Sequence, residues 1–144
     1  MIRFADGSKR DSSAATNRTV AAVREQALAD AAETRRFSLG VYAIDPELSS
    51  LFERNVDDLL AHGVTPVFFL PPSHPVTYRA ITANPNYRII TNIEGYCRRV
   101  AASRGIPVIC SYDPERCHLG EADFFDGMHR RRESTAKIFA RTSF

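Results

Sequence analysis

The chain has 144 residues, of which 44% are hydrophobic and 25% are charged. This is ordinary composition for one globular domain, and it excludes a chain that is disordered throughout. The formal net charge of +2 is too small to indicate nucleic acid as a partner, and solvated helix faces explain the local arginine clusters. No stretch approaches the roughly 18 apolar residues of a membrane span, and the N-terminus lacks the apolar region of a signal peptide, so we expect a soluble protein, with its compartment unassigned.

The first part of the chain predicts little regular structure before one helix. Residues 1–13 are polar and rich in turn-forming residues, so we expect an irregular segment in which Asp6-Gly7 indicates a hairpin or a tight turn. An alanine-rich stretch then predicts a helix over about residues 14–35. Its apolar positions recur near helical spacing at Val20, Val23, Ala27 and Ala31. Because these side chains are small, we expect this helix at the periphery.

A helix followed by a glycine and an apolar strand forms the next unit. Asp45-Pro46 combines a helix cap with a proline at the first helical position, and the helix is predicted over about residues 46–62. Gly63 is placed to end it in a left-handed conformation. The apolar face of this helix is predicted at Leu51, Val56, Leu59 and Leu60. The apolar run over residues 64–70 predicts a strand that is covered on both faces.

The same pattern then repeats. A helix is predicted over about residues 89–104, Gly105 ends it, and residues 106–110 form a second apolar strand. Two such units imply parallel strands joined by a right-handed crossover, with helices on the faces of the sheet. The predicted fold class is therefore a three-layer α/β/α domain with a short parallel sheet, which occupies residues 1–144 and ends in a helix over about residues 130–140.

The region between the two strands is expected to be a long loop. Four prolines interrupt residues 71–87, and they argue against a regular element there. In open parallel sheets, ligands bind at the edge formed by the carboxyl ends of the strands. Three polar segments should converge on that edge, namely residues 71–75, 111–114 and 123–129.

The cysteines do not indicate a metal site. Cys97, Cys110 and Cys117 lack the spacing of zinc ligands, and His118 beside Cys117 has too few partners. We expect free buried thiols, although Cys110 and Cys117 bracket a short loop and would pair in an oxidising compartment. No metal and no other cofactor is expected.

The most informative pair is Asp126 and His129, which follow the aromatic pair Phe124-Phe125. A histidine that acts as general base needs a neighbouring carboxylate to fix its tautomer and to stabilise the imidazolium. The three-residue spacing allows that hydrogen bond within one turn. The alternative is a helix-capping aspartate with a surface histidine, and the aromatic pair is expected to anchor the segment in the core.

Other polar side chains of the same edge are candidates for substrate binding. They are Ser73 and His74 after the first strand, and Tyr112 and Asp113 after the second. Each group has a structural alternative. His74 lies between prolines and also fits a contact that makes the loop rigid, and Asp113-Pro114 also fits a simple turn.

These segments together resemble the C-terminal part of the SGNH or GDSL hydrolase superfamily, whose last sequence block is Asp-x-x-His. The run from Phe68 to Pro75 looks like branches of that superfamily that modify cell-surface polysaccharides by acyl transfer. The resemblance covers about residues 46–140. It implies that His129 is the general base and Asp126 its orienting carboxylate, and that the substrate is an acylated carbohydrate or a related ester.

The nucleophile implied by the resemblance has no counterpart in this sequence. The superfamily places its serine in a Gly-Asp-Ser block, which is absent here, and Asp6-Gly7-Ser8 has the letters in another order, so Ser8 is not assigned as the nucleophile. A Gly-x-Asn-Asp oxyanion block is absent too, and we expect the chain alone to be nearly inactive. One hypothesis is that an exposed sheet edge pairs with a missing N-terminal half or with a second copy of the chain. The other hypothesis is that the domain is a non-catalytic carbohydrate-binding or interaction module.

Overall fold

The structure is a computed structural model that describes residues 2–3, 9–10, 16–36 and 42–141. In this part of the chain, short strands alternate with five α-helices. In chain order the elements are β1 (Ile2–Arg3), β2 (Lys9–Arg10), α1 (Val20–Arg36), α2 (Pro46–Ala61), β3 (Phe68–Leu70), α3 (Pro75–Thr82), α4 (Ile89–Arg104), β4 (Val108–Cys110) and α5 (Arg132–Ala140). Within these ranges no helix combines the length and the apolar character that a membrane crossing needs.

The two predicted core strands pair in parallel, as expected. The register aligns Phe68 with Val108 and Leu70 with Cys110. Both strands are shorter than the predicted ranges 64–70 and 106–110. The reason is that Pro66 and Pro107 have no N–H to donate to the ladder, so pairing begins only after each proline.

Helices cover both faces of this two-stranded sheet. On one face, Phe68 and Val108 pack against a cluster formed by Val56 of α2 with Ala101 and Ile106. On the other face, a second cluster joins α1, β4 and α5. Its buried members are Val23, Ile109, Cys117, Leu119, Phe124 and Ile138. The described part of the chain is therefore a small α/β fold with its core on both sides of the strands.

The start and end signals of α2 are confirmed. The Asp45 carboxylate accepts hydrogen bonds from the backbone N–H groups of Glu47 at 2.8 Å and Leu48 at 2.9 Å, and Gly63 is left-handed with φ of 74°. The predicted apolar face is only partly correct. Val56 is buried and Leu60 packs beside it, whereas Leu51 and Leu59 remain 47% and 43% exposed.

The expectation that α1 lies at the periphery is wrong. Its Val23, Ala27 and Ala31 are fully buried, and α1 packs along α3. Small side chains allow the two backbones to approach closely, so that the Thr77 hydroxyl donates a hydrogen bond to the Ala27 carbonyl at 3.2 Å. The helix begins at Val20, later than residue 14, and Val20 itself is exposed.

The long loop expected over residues 71–87 is also wrong, because this region contains α3 and a short 3₁₀ turn, Pro85–Tyr87. Pro75 and Pro85 each occupy the first position of a helical turn, where no backbone N–H is needed. The residues before them supply the caps. His74 Nδ1 accepts from the N–H of Val76 at 3.1 Å, and Asn84 Oδ1 accepts from the N–H of Asn86 at 3.0 Å.

The expectation of three free thiols is wrong for two of them, because Cys110 and Cys117 form a disulfide. A 3₁₀ turn, Glu115–Cys117, folds the intervening loop back and brings the two Cα atoms to 5.2 Å, a separation that a disulfide spans. Cys97 is a free, half-buried thiol, and burial raises the pKa of this thiol.

The N-terminal segment is not wholly irregular. β1 and β2 pair in antiparallel register, with Ile2 opposite Arg10 and Arg3 opposite Lys9. This pairing agrees with the hairpin indicated by the sequence. Asp6-Gly7 and Ser8 lie outside the described residues.

Candidate functional site

The three polar segments converge at the carboxyl edge of the sheet, as the topology predicts. The backbone N–H of Ser73 donates to the carbonyl of Tyr112 at 3.2 Å, and the N–H of His74 donates to the carbonyl of Gly127 at 3.2 Å. The Arg130 guanidinium adds a hydrogen bond of 2.9 Å to the carbonyl of Pro72. The loops after β3 and β4 and the segment before α5 are thus joined at one place.

Asp126 and His129 are in direct contact. His129 Nδ1 lies 2.9 Å from Asp126 Oδ2 and 3.1 Å from Oδ1. In the neutral imidazole this geometry places the proton on Nδ1, which donates to the carboxylate. The His129 side chain is 69% exposed, so Nε2 is the nitrogen available to a reacting group.

Asp126 is held by the turn that it caps. Its Oδ1 accepts from the backbone N–H groups of Met128 at 2.8 Å and His129 at 2.6 Å. The aspartate therefore caps this turn and not α5, which begins only at Arg132. Because the turn fixes both members of the pair, their contact does not depend on a neighbouring element.

The aromatic pair anchors the segment in two ways. Phe124 is fully buried in the core, as expected. Phe125 is half-buried, and its ring stacks on the His129 imidazole, with centroids 5.7 Å apart and planes inclined by 12°. The N–H of Phe125 also donates to the carbonyl of His129 at 3.1 Å. The stacked ring limits the orientations that His129 can adopt.

Gly127 fastens the segment to α1, a contact that the sequence did not reveal. Its N–H donates to Asp30 Oδ2 at 3.1 Å, and its carbonyl is the acceptor for His74. Gly127 is buried, and Asp30 and Thr77 fill the space around its Cα. The only sequence signal for this close approach is the glycine itself, which directly follows Asp126.

Arg130 and Arg131, which follow His129, make structural contacts and do not belong to a solvated helix face. Arg130 lies 5.4 Å over the Phe69 ring, and burial lowers the pKa of its guanidinium. Arg131 donates to the carbonyls of Thr16 at 2.6 Å and Arg18 at 3.0 Å. These two side chains connect the site segment to the sheet and to the chain that precedes α1.

The four predicted substrate-binding residues have different surroundings. His74 is fully buried, caps α3 and makes an edge-to-face contact with Phe124 at 5.4 Å, which agrees with the alternative of a contact that makes this region rigid. Asp113 Oδ1 accepts from the N–H of Glu115 at 3.0 Å, in the manner of a turn. Ser73 and Tyr112 line an open groove.

This apolar groove has a volume of about 550 Å³ and lies at the same edge as the Asp126–His129 pair. Its walls come from α3, α4, the three converging segments, and Tyr42 and Ala43 before α2. Tyr78, Ile81, Ile90, Ile93, Tyr112 and Met128 are among the lining residues. Met128 directly precedes His129, so the groove and the exposed imidazole are neighbours along the chain.

No protein-family model, curated protein or solved structure matches this chain. In the described ranges, no cluster of three or more histidine, cysteine, aspartate or glutamate side chains is placed to hold a metal ion.

Glu94 of α4 is a buried acidic residue that contacts the segment after β4 at this edge of the sheet, and the sequence did not indicate this role. The Glu94 carboxylate accepts hydrogen bonds, and its donors include the Ser111 hydroxyl at 2.8 Å, the backbone N–H of Tyr112 at 3.2 Å and the Arg98 guanidinium at 2.9 Å. Arg98 also donates to the carbonyl of Cys110 at 2.7 Å. The available sequence signal was a single acidic residue that shares a face of α4 with apolar residues.

His74 gives a prediction on stability and pH. Val76 donates to Nδ1, so the neutral ring carries its proton on Nε2, which is buried and has no partner among the described residues. Burial is the main cause that lowers the pKa of His74 below its ordinary value of 6.5. His74 therefore binds a proton more readily in the unfolded chain than in the folded chain. The free energy of unfolding decreases as the pH falls below about 6.5.

We expect His74→Asn, which keeps a side-chain acceptor for the cap, to be more stable than His74→Ala by about 1 kcal/mol. Both variants should lose the decline in stability between pH 6.5 and 5.5 that is attributed to His74. Urea unfolding of the three proteins at several pH values measures both effects. Equal stability of the two variants would show that the cap contributes nothing.

Proposed function

We propose that this protein supplies the base half of a serine-type acyl-ester hydrolase or acyltransferase site, in an α/β/α domain of SGNH type. The observation that carries the proposal is the 2.9 Å contact between His129 Nδ1 and Asp126 Oδ2, combined with an imidazole that is exposed on its other side. The substrate class that we propose is an acylated carbohydrate or a related ester.

The pair fits the role of a general base chemically. Nε2 of His129 takes the proton of an attacking hydroxyl, and Asp126 keeps the imidazole in the required tautomer and stabilises the imidazolium that forms. The same nitrogen then returns the proton to the leaving alkoxide of the ester. Two backbone N–H groups donate to Oδ1 of Asp126 and hold the carboxylate in place beside the imidazole.

The nucleophilic hydroxyl is the missing component in the part of the chain that the structure describes. Within residues 16–33 and 42–141, no hydroxyl group is hydrogen-bonded to Nε2 of His129. We propose that a serine from outside these ranges, or from a second polypeptide, completes the site. Until it is present, His129 can activate only water, and turnover is slow.

Hydrolysis of p-nitrophenyl acyl esters tests this function. We expect slow turnover that falls on the order of 10²-fold in His129→Ala, and by a similar factor in Asp126→Asn, which fixes the wrong tautomer. His62→Ala is the matched control, because His62 is also exposed but lies at the end of α2. A serine-directed phosphonate probe identifies the nucleophile when the completing segment is added.

Turnover that is the same in His129→Ala and His62→Ala would contradict the catalytic role. In that case the imidazole contributes only the background that any surface histidine gives to an activated ester. The domain would then be a non-catalytic binding module, for which saccharide or ester binding without turnover is the expected behaviour.

A further inference from the structure

We propose that the apolar groove binds the acyl chain of the ester and selects longer alkyl chains over acetyl. This inference rests on the proposed function only for the position of the ester carbonyl, which it places beside His129. The binding of the alkyl chain itself follows from the groove.

The size and the lining of the groove support an alkyl ligand. Its volume of about 550 Å³ lies within the range of roughly 300–1,000 Å³ that is typical of small-molecule sites. Isoleucines of α3 and α4 form much of the wall, and no charged residue lines the groove. A sugar ring would bring several hydroxyl groups into contact with these side chains and leave them without partners, which is costly.

Three tyrosines, Tyr42, Tyr78 and Tyr112, line the groove and bring hydroxyl groups to this apolar surface. Tyr78 belongs to α3, and Tyr112 belongs to the segment after β4. Burial is the main cause that raises the pKa of both phenols, so they remain neutral donors at physiological pH. One such donor is sufficient to orient the carbonyl end of an otherwise apolar ligand.

The position of the groove agrees with this occupant. Met128 lines it and is followed directly by His129, and Ser73 lines it from the segment after β3. A ligand whose alkyl part fills the groove therefore has its polar end at the edge where the three segments meet. The base and the alkyl site are thereby placed at the same edge of the sheet.

Methyl NMR of the full chain with linear amides tests the inference without any turnover. Octanamide should shift the methyl resonances of Ile81, Ile90 and Ile93, and should leave those of Ile109 and Ile138 in the opposite core cluster unchanged. From butanamide to octanamide, affinity should rise about three- to fourfold per methylene, because each buried CH₂ contributes about 0.8 kcal/mol. Acetamide should not bind measurably.

Two substitutions separate the groove from the rest of the surface. Ile93→Glu, at a position that is 37% exposed, should abolish octanamide binding without unfolding the chain. Leu48→Glu is the control, because Leu48 of α2 is 66% exposed and does not line the groove. Met128→Lys, at 48% exposure, tests the part of the lining that comes from the segment before α5 and should also abolish binding.

His129→Ala distinguishes a failure of this inference from a failure of the proposed function. We expect this variant to bind octanamide like the parent chain, since the imidazole does not line the groove. Octanamide binding without His129-dependent turnover would leave the alkyl site intact and remove the catalytic role. The inference is overturned if octanamide shifts no groove methyl, if Leu48→Glu binds as poorly as Ile93→Glu, or if a dimer closes the groove and excludes the amide.

Discussion

Replacing Gly127 by alanine should destabilise the protein by about 1–3 kcal/mol, the usual cost of forcing an extra group into a packed site. The new Cβ would clash with the Asp30 carboxylate and lie 2.9 Å from the Asp30 Cβ, closer than real Cβ contacts. It would also lie 3.0 Å from the Thr77 hydroxyl oxygen, which is a tight contact. Both neighbours belong to helices that pack against each other, so neither side can withdraw easily. The segment that carries His129 has to move instead.

Two measurements distinguish this displacement from a general loss of stability. The Gly127→Ala chain should have a lower midpoint in urea unfolding, and its remaining folded fraction should show reduced His129-dependent ester turnover. Gly120→Ala is the matched control, because a Cβ at Gly120 meets nothing within 4 Å. If the two alanine variants unfold at the same urea concentration, the close packing at Gly127 is not important.

Loss of the Glu94 carboxylate is expected to have an effect of similar size. Glu94 is 7% exposed and accepts hydrogen bonds from Ser111, Tyr112 and Arg98. Removing one member of a buried charged pair typically costs 3–5 kcal/mol, and we expect about 2–3 kcal/mol for Glu94→Ala because part of Arg98 reaches solvent. Glu94→Gln keeps the shape and should lose less.

The same residue makes stability depend on pH. Burial by itself raises the pKa of Glu94, but the hydrogen bonds from Ser111 and Arg98 outweigh it and hold the pKa below its ordinary value of 4.5. Glu94 therefore binds a proton more readily in the unfolded chain than in the folded chain. The contribution of Glu94 is complete above about pH 4.5 and is lost as the pH falls through the lowered pKa.

Urea unfolding between pH 3 and pH 7 measures this contribution. The Glu94→Gln variant should lose less stability on acidification than the parent chain. Glu25→Gln, at an exposed position of α1, should follow the parent. Parallel pH curves for all three chains would falsify the role assigned to Glu94.

The sequence predicted the parts of this fold that local chemistry decides. Asp45 at a helix start, and glycines at 63 and 105 at helix ends, are specified by backbone requirements that no distant contact changes. The parallel pairing followed from the repeated helix and strand pattern. Because parallel strands share an edge, the meeting of the two segments that follow β3 and β4 was also predictable before any contact was known. The position of residues 123–129 depended instead on the fold of the loop that precedes them.

The features that the sequence did not predict depend on contacts between distant residues or on unusual helix caps. Ala27 and Ala31 gave no reason to expect a central helix, because their burial results from the close approach of α3. The helix after Pro75 was missed because a histidine, and not a common cap residue, accepts the N–H of Val76 in its first turn. The contact between Asp30 and Gly127 joins residues that are 97 positions apart, and no local pattern reports it.

The edge of the sheet is held together by main-chain groups at its centre, where Ser73 pairs with Tyr112 and His74 with Gly127. Any amino acid except proline supplies the N–H and carbonyl groups that these bonds need. The side chains at positions 73, 112 and 128 are therefore free to vary without loosening the scaffold. A mutant library restricted to these three positions can alter the lining of the groove at little cost in stability.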